Sequence, residues 1–207
     1  MKTIKEAETL IGGLTQPSKM PCHSYNIPAA ECRTGSKLRN VKGSVCFGCY
    51  ALKGNYHRYA KTGDPSRYRR LNAIESVEWV DAMSFLIRKK KMPYFRWHDS
   101  GDIQSVEHLE KIAQVARNCP DCKFWLPTRE YAMVSELDDI PKNLVIRLSA
   151  HMIDGKPPEA LAKRLGVLTS TVSTGKGDCP SSKQGNKCLD CRNCWDVKMP
   201  NIAYSYH

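Results

Sequence analysis

Hydrophobic and polar positions change character near residue 65. Residues 1–65 are irregular, rich in Gly, Pro, Ser and Cys, with few periodic stretches. Beyond Pro65 the segment SRYRRLNAIESVEWVDAMSFLIRKKK carries Leu71, Ile74, Val77, Val80, Met83 and Leu86 at helical spacing, which predicts one amphipathic helix. YFRWHDSGDI reads as a short aromatic strand ending at Ser100-Gly101. SVEHLEKIAQVARN predicts a helix with Ser105 as N-cap, its capping box incomplete because His108 stands three residues on. KFWLPTRE then reads as a strand, YAMVSELDDI as a short helix and NLVIRLSA as an apolar strand. PEALAKRL reads as a helix, GVLTSTVS as a strand, and IAYSY as a candidate for one further strand.

Strand and helix alternating between residues 66 and 173 predict parallel βαβ units, since each parallel pairing needs a crossover. The expected fold class is α/β, with a full or partial β/α barrel-like parallel sheet. A doubly wound sheet is the competitor, but no Gly-rich dinucleotide fingerprint follows any strand. The 207 residues fit a single domain, 1–207. Within it, 1–65 is an irregular basic, Cys-containing region, 66–175 the β/α core, and 176–207 a Cys-rich tail.

Each clear strand ends in polar residues, and in parallel β/α architectures these ends form the binding site. The first strand gives Arg96, His98, Ser100 and Asp102. Alternation places Arg96, His98 and Ser100 on one face if the strand stays regular that far. The second gives Thr128, Arg129 and Glu130, the third Arg147, Ser149 and His151. The candidate proton-transfer groups are His98, Asp102 and His151, because imidazole titrates near neutral pH and carboxylates orient it. The candidate substrate-binding groups are Arg96, Ser100, Arg129 and Arg147. Guanidinium forks match carboxylate or phosphate, so a small anionic substrate is expected. The alternative is a polar network that caps strands, with the arginines paired at the surface.

The net charge of +11 is uneven: residues 33–73 hold ten Lys or Arg against one acid, Asp64, with Tyr50, Tyr56, Tyr59 and Tyr68 interleaved. Such a stretch attracts phosphates, nucleic acid among them, or is simply a solvated basic face. No apolar run approaches the length of a membrane span. MKTIKEAETLIGGLTQPSKM has no apolar core of a signal peptide, so a cytoplasmic, reducing location is expected.

Cysteines carry the sharpest chemistry. Cys179, Cys188, Cys191 and Cys194 fall within sixteen positions, and Cys46 and Cys49 repeat the C-x2-C spacing. Thiolates this dense are ligands for zinc or an iron–sulfur cluster, or else members of disulfides, which a reducing location disfavours. Spacing alone does not separate zinc from a cluster. Cys46 and Cys49 complete a site with the tail, form a distinct one with Cys22 and Cys32, or act as a redox pair. Cys119 and Cys122, between a helix end and a strand, read as buried inert thiols.

The segments VCFGCYALKG, FRWHDSGDI, FWLPTRE, NLVIRLSA and CPSSKQGNKCLDCRNCWD, closing on IAYSYH, resemble a phage and prophage family often labelled gene product eighty-eight. The resemblance covers roughly residues 20–207. It implies a viral metalloprotein of the bacterial host's cytoplasm, with the cysteines holding an iron–sulfur cluster, most simply 4Fe–4S, near the sheet mouth. The layout is also similar to radical-SAM enzymes, which place a cluster at the top of a partial β/α barrel. The C-x3-C-x2-C motif of that superfamily is absent, Lys42 standing where its first cysteine would be. The leading expectation is an iron–sulfur enzyme working on a small anionic substrate at the strand ends. It would act by electron transfer, or by Lewis-acid hydrolase or lyase chemistry at an iron with three cysteine ligands. The alternative is a zinc-stabilised nucleic-acid-binding phage protein.

Overall fold

Six strands lie side by side in the order in which the chain makes them: β1 (His23–Tyr25), β2 (Tyr94–Trp97), β3 (Lys123–Thr128), β4 (Leu144–Ser149), β5 (Leu168–Ser173) and β6 (Asn201–Ser205). Every pairing is parallel. A doubly wound sheet reverses its strand order at a switch point, and this sheet has none. The α/β reading holds, and the sequential arc agrees with a barrel-like layout. The coordinates are a computed structural model that describes residues 1–53 and 60–206. Tyr56 and Tyr59 of the basic stretch lie outside the described residues.

The α-helices of the described residues are α1 (Ile4–Ile11), α2 (Arg33–Leu38), α3 (Ala60–Ala73), α4 (Trp79–Lys89), α5 (Val106–Asn118), α6 (Tyr131–Ser135) and α7 (Glu159–Leu165). The single helix expected after Pro65 is two, α3 and α4. The apolar stripe runs through the break, where Val77 is 92% exposed and cannot be part of a buried face. Helices α1 and α2 and strand β1, all in the irregular N-terminal region, were not expected. Helix α1 is closed by a full capping box, Thr3 with Glu6, and by left-handed Gly12. Strand β1 forms the sheet's first edge. Ser105 is the N-cap of α5, its side chain accepting from the His108 N–H at 3.0 Å.

Alternation divides the sheet into two faces. Tyr25, Phe95, Trp97, Phe124, Leu126, Ile146 and Leu148 pack with Ala7 and Ile11 of α1, Trp79 and Leu86 of α4, and Leu109 and Ile112 of α5 in the main core. The rings of Phe95 and Trp97 meet edge-on at 4.9 Å. Cys119 and Cys122 are buried in this core, as expected of inert thiols, and the Asn143 amide caps their carbonyls. On the opposite face Ser24, Arg96 and Trp125 stand in register on β1, β2 and β3. Trp195 from the tail lies on Trp125 of this face, packing with it and Cys22 and donating from Nε1 to the Phe95 carbonyl at 2.9 Å. The cysteine tail therefore lies along the second face of the sheet. No helix of the described residues is long and apolar enough to cross a membrane.

Candidate functional site

The loop that leaves β1 arches over the C-terminal ends of β2, β3 and β4, and each crossing is tied by hydrogen bonds. At β2, Ile27 and Ser100 exchange two: Ile27 N–H to the Ser100 carbonyl at 3.1 Å, and Ser100 Oγ to the Ile27 carbonyl at 3.0 Å. At β3, Glu130 accepts from the N–H and hydroxyl of Thr34 at 2.8 and 2.7 Å. At β4, the Val45 N–H reaches the His151 carbonyl at 2.9 Å, and Ser44 bridges Met152. The Tyr50 hydroxyl returns to the Asp99 carbonyl.

These ties gather three thiols from one irregular segment. A Cβ on Gly35 would stand 3.6 Å from Cys32 Sγ and 3.7 Å from Cys46 Sγ, so a residue without a side chain leaves room beside both sulfurs. Cys49 lies in the electrostatic field of both. Burial pushes the Cys32 and Cys46 thiols up, while Arg129 pulls Cys46 back down. Cys32 was expected as a ligand only in the alternative that joins it to Cys46, Cys49 and Cys22. Its signal was a third thiol in the same Gly- and Ser-rich stretch.

Around this cap stand several of the expected site residues. Asp102 is buried, and its carboxylate accepts from Thr128 Oγ1 at 2.6 Å, Ile103 N at 2.8 Å and Arg129 N at 2.9 Å. Burial outweighs these bonds and lifts it to about 6. The Arg129 Nε is buried with no hydrogen-bond partner. The His151 ring stacks on Tyr131 with centroids 4.6 Å apart, and its buried Nε2 is likewise unpartnered. Burial lowers the His151 pKa.

His98 departs from the expected geometry. Strand β2 stops at Trp97, and His98 has a left-handed φ of 56°. Alternation therefore does not reach it. Its ring meets His108 edge-on at 5.4 Å, and His108 in turn meets Trp79 of the core at 5.8 Å. It does not share a face with Arg96. Burial lowers its pKa to about 3, and neither ring nitrogen has a partner. Ser100 spends its hydroxyl on Ile27. Gly101, at φ 85°, has no room for a Cβ, which would stand 2.2 Å from Ile27 Cγ1.

The tail forms a second neighbourhood on the Arg96 face. The Arg96 guanidinium lies over Trp125, 4.7 Å from the ring centroid, and Nη1 contacts Met20 Sδ at 3.1 Å. Arg147 is fully buried, and all five of its N–H donors go to main-chain carbonyls of Cys194, Thr169, Met199, Asn193 and Asp196. It fastens the tail to the sheet and keeps no free donor for a substrate. Burial raises Cys194 to about 11, and its sulfur lies 3.3 Å from the Tyr204 hydroxyl. The expected metal ligands thus divide: Cys46 and Cys49 belong to the cap, and Cys179, Cys188, Cys191 and Cys194 to the tail. Among the described residues no three His, Cys, Asp or Glu side chains converge where they would hold a single ion.

A comparison with protein families matches residues 2–197 to the family described as Gene product 88. The chain belongs to that family. Neither the curated proteins nor the solved structures contain a match. The gene product 88 match spans both cysteine neighbourhoods up to Val197 and supports a phage origin for the fold that carries them. The likeness in layout to radical-SAM enzymes gains no support from these comparisons.

Proposed function

We propose that this gene product 88 protein is an iron–sulfur enzyme of the host cytoplasm that works on a small anionic substrate beneath the β1 loop. The observation that carries the reading is the trio Cys32, Cys46 and Cys49, held over the strand ends beside Arg129, Asp102 and His151. The donor set is thiol-only, which suits an iron–sulfur cluster. The unpartnered Arg129 Nε beside it fits an anion. Three thiolates leave one iron of a 4Fe–4S cluster without a protein ligand. Such a cluster supplies electrons or, at the open iron, a Lewis acid.

The chain's own groups divide the remaining work. Arg129 binds the anionic part of the substrate through its free Nε. Asp102, at about 6, exchanges a proton near neutral pH and orients the Arg129 main chain. His151, kept neutral by burial, accepts a proton at Nε2. His98 takes no part in this scheme, since its imidazole faces His108. The basic stretch 33–73 supports nucleic-acid binding less directly. Arg39 donates to the Ala29 carbonyl at 3.0 Å, Arg70 to the Gly13 carbonyl at 3.0 Å, and Arg67 pairs with Asp64.

The test is anaerobic purification or reconstitution, followed by an absorption spectrum and by iron, sulfide and zinc analysis. A brown protein whose iron falls in Cys46→Ser or Cys49→Ser supports the proposal. A colourless protein with one bound zinc overturns it.

A further inference from the structure

Cys22, which precedes β1, lies far in sequence from the tail but is packed against it. It is 5% exposed and shares a small apolar cluster with Trp125 and Trp195, against which Cys194 and Tyr204 also pack. The thiols whose charges act on Cys22 are Cys188 and Cys194, while those acting on Cys32 are Cys49 and Cys46. Cys179 acts on both Cys188 and Cys194, and Cys191 acts on Cys188. Main-chain bonds fix this grouping. The Cys188 N–H reaches the Lys19 carbonyl at 2.9 Å, the Cys191 N–H the Cys188 carbonyl at 2.9 Å, and the Cys179 N–H the Ala203 carbonyl at 3.1 Å.

A second observation is independent of the sulfurs. Arg147 brings a full positive charge into this face, and no carboxylate is hydrogen-bonded to it, because its donors all end on carbonyls. Arg96 adds another guanidinium beside Cys22, with Nε buried and unpartnered. Buried cations need compensating anions, and Asp196 beside Arg147 and Asp99 beside Arg96 supply part of that charge. Thiolates bound to iron and sulfide add to it, since four of them leave the whole centre negatively charged.

We propose that Cys22 joins Cys179, Cys188 and Cys194 to form a second iron–sulfur site, separate from the cap and with four thiolate ligands, Cys191 being left over beside them. The proposal rests on the iron–sulfur reading above but adds a centre that reading does not require. With every iron ligated by the protein, this site binds no substrate; it stores or passes electrons and staples the tail to the sheet. Arg96 lies in the field of Tyr50, which follows Cys49 in sequence, and of Asp99, Tyr204 and Cys194.

The experiment counts iron and sulfide in the anaerobically reconstituted full chain and records electron paramagnetic resonance spectra after reduction with dithionite. Two 4Fe–4S centres give about eight irons per chain. The triple variant Cys32→Ser/Cys46→Ser/Cys49→Ser is expected to keep about half of that iron. Cys22→Ser is expected to lose or alter the remaining signal while keeping the cap signal, which also shows that the fold survives. Cys119→Ser, outside both groups, keeps the full count. If Cys22→Ser fails to fold, Cys188→Ser decides, and it must remove one centre only. An iron-free cap triple variant means one shared centre and overturns the proposal, as does a Cys22→Ser protein with wild-type iron and an unchanged spectrum. A cap triple variant with undiminished iron sinks the cap reading instead and leaves the tail site standing.

Discussion

Glu130 holds Thr34 with both carboxylate oxygens, Oε1 on the main-chain N–H at 2.8 Å and Oε2 on the hydroxyl at 2.7 Å. Residues separated by almost a hundred positions meet here, and the contact sits two residues from Cys32. The carboxylate is buried, so both bonds are made away from competing water. Glu130→Gln replaces one acceptor oxygen with an amide that cannot accept from Thr34. Bonds to a charged group are worth about 1.5–3 kcal/mol each, so a loss of about 2 kcal/mol is expected in thermal melts. The variant should also retain less iron under the cap and leave the tail untouched. Unchanged melting and unchanged iron would show that something other than this pair holds the loop.

Much of the scaffold was legible because period carries it. Strands β2 to β6 and helix α5 lie where alternation, helical spacing and Ser105 put them. What escaped was either short or long-range. Strand β1 has three residues, too few for alternation to register. Helix α1 did carry its signal, Thr3 with Glu6 and then Gly12, inside a stretch whose composition reads as loop. The strand-end rule named Asp102, Arg129 and His151, which the structure brings together, and Arg147, whose donors are all spent on main-chain carbonyls. A period of two says which face a side chain takes and nothing of what covers that face. No local pattern links Cys22 to Cys188, because the link runs through Lys19 and the Trp125–Trp195 contact.

Acid should weaken the fold through His98. Folding lowers its pKa from 6.5 to about 3, and burial is the first cause. The neutral ring is therefore the folded form. Its contribution is complete above the unfolded value and is lost as pH falls from 6.5 towards 3. At 1.36 kcal/mol per unit this reaches about 5 kcal/mol. Asp102 works in the opposite sense: raised from 3.8 to about 6, it costs stability as pH rises through that window. The two separate in a difference measurement. His98→Asn removes the titrating ring and tolerates the positive φ. Denaturant midpoints of wild type should fall relative to His98→Asn from pH 6.5 downward, and parallel curves would refute the assignment.

Gly101 should tolerate no side chain. Its φ of 85° disfavours any L residue, and a Cβ would stand 2.2 Å from Ile27 Cγ1 and 2.9 Å from the Ile27 carbonyl oxygen. Left-handed strain and overpacking each cost about 1–3 kcal/mol. Gly101→Ala should therefore lose roughly 3 kcal/mol and loosen the Ile27–Ser100 pair. Ser100→Ala, which deletes one hydroxyl bond and adds no atoms, should cost about 1 kcal/mol. Equal unfolding midpoints for the two variants would contradict the packing argument.

Arg147 separates the role of a clamp from that of a substrate ligand. Its five donors bind carbonyls from both sides of the tail, Cys194, Asn193, Asp196 and Met199 among them. Arg147→Lys keeps the charge but offers three donors from a single point. At least two of the buried carbonyls then lose their partner, at about 1–3 kcal/mol each. A total near 3 kcal/mol corresponds to a melting shift of roughly 6–12 °C for a chain of this length. Limited proteolysis should then cut within 176–200 before any other segment, because the tail is released while the helix-covered core remains. A substrate ligand behaves differently: Arg129→Lys should leave melting and cleavage near wild type and weaken only the binding of small anions. If Arg147→Lys keeps the wild-type melting temperature and cleavage pattern, the tail is held by Trp195 and the sulfurs alone.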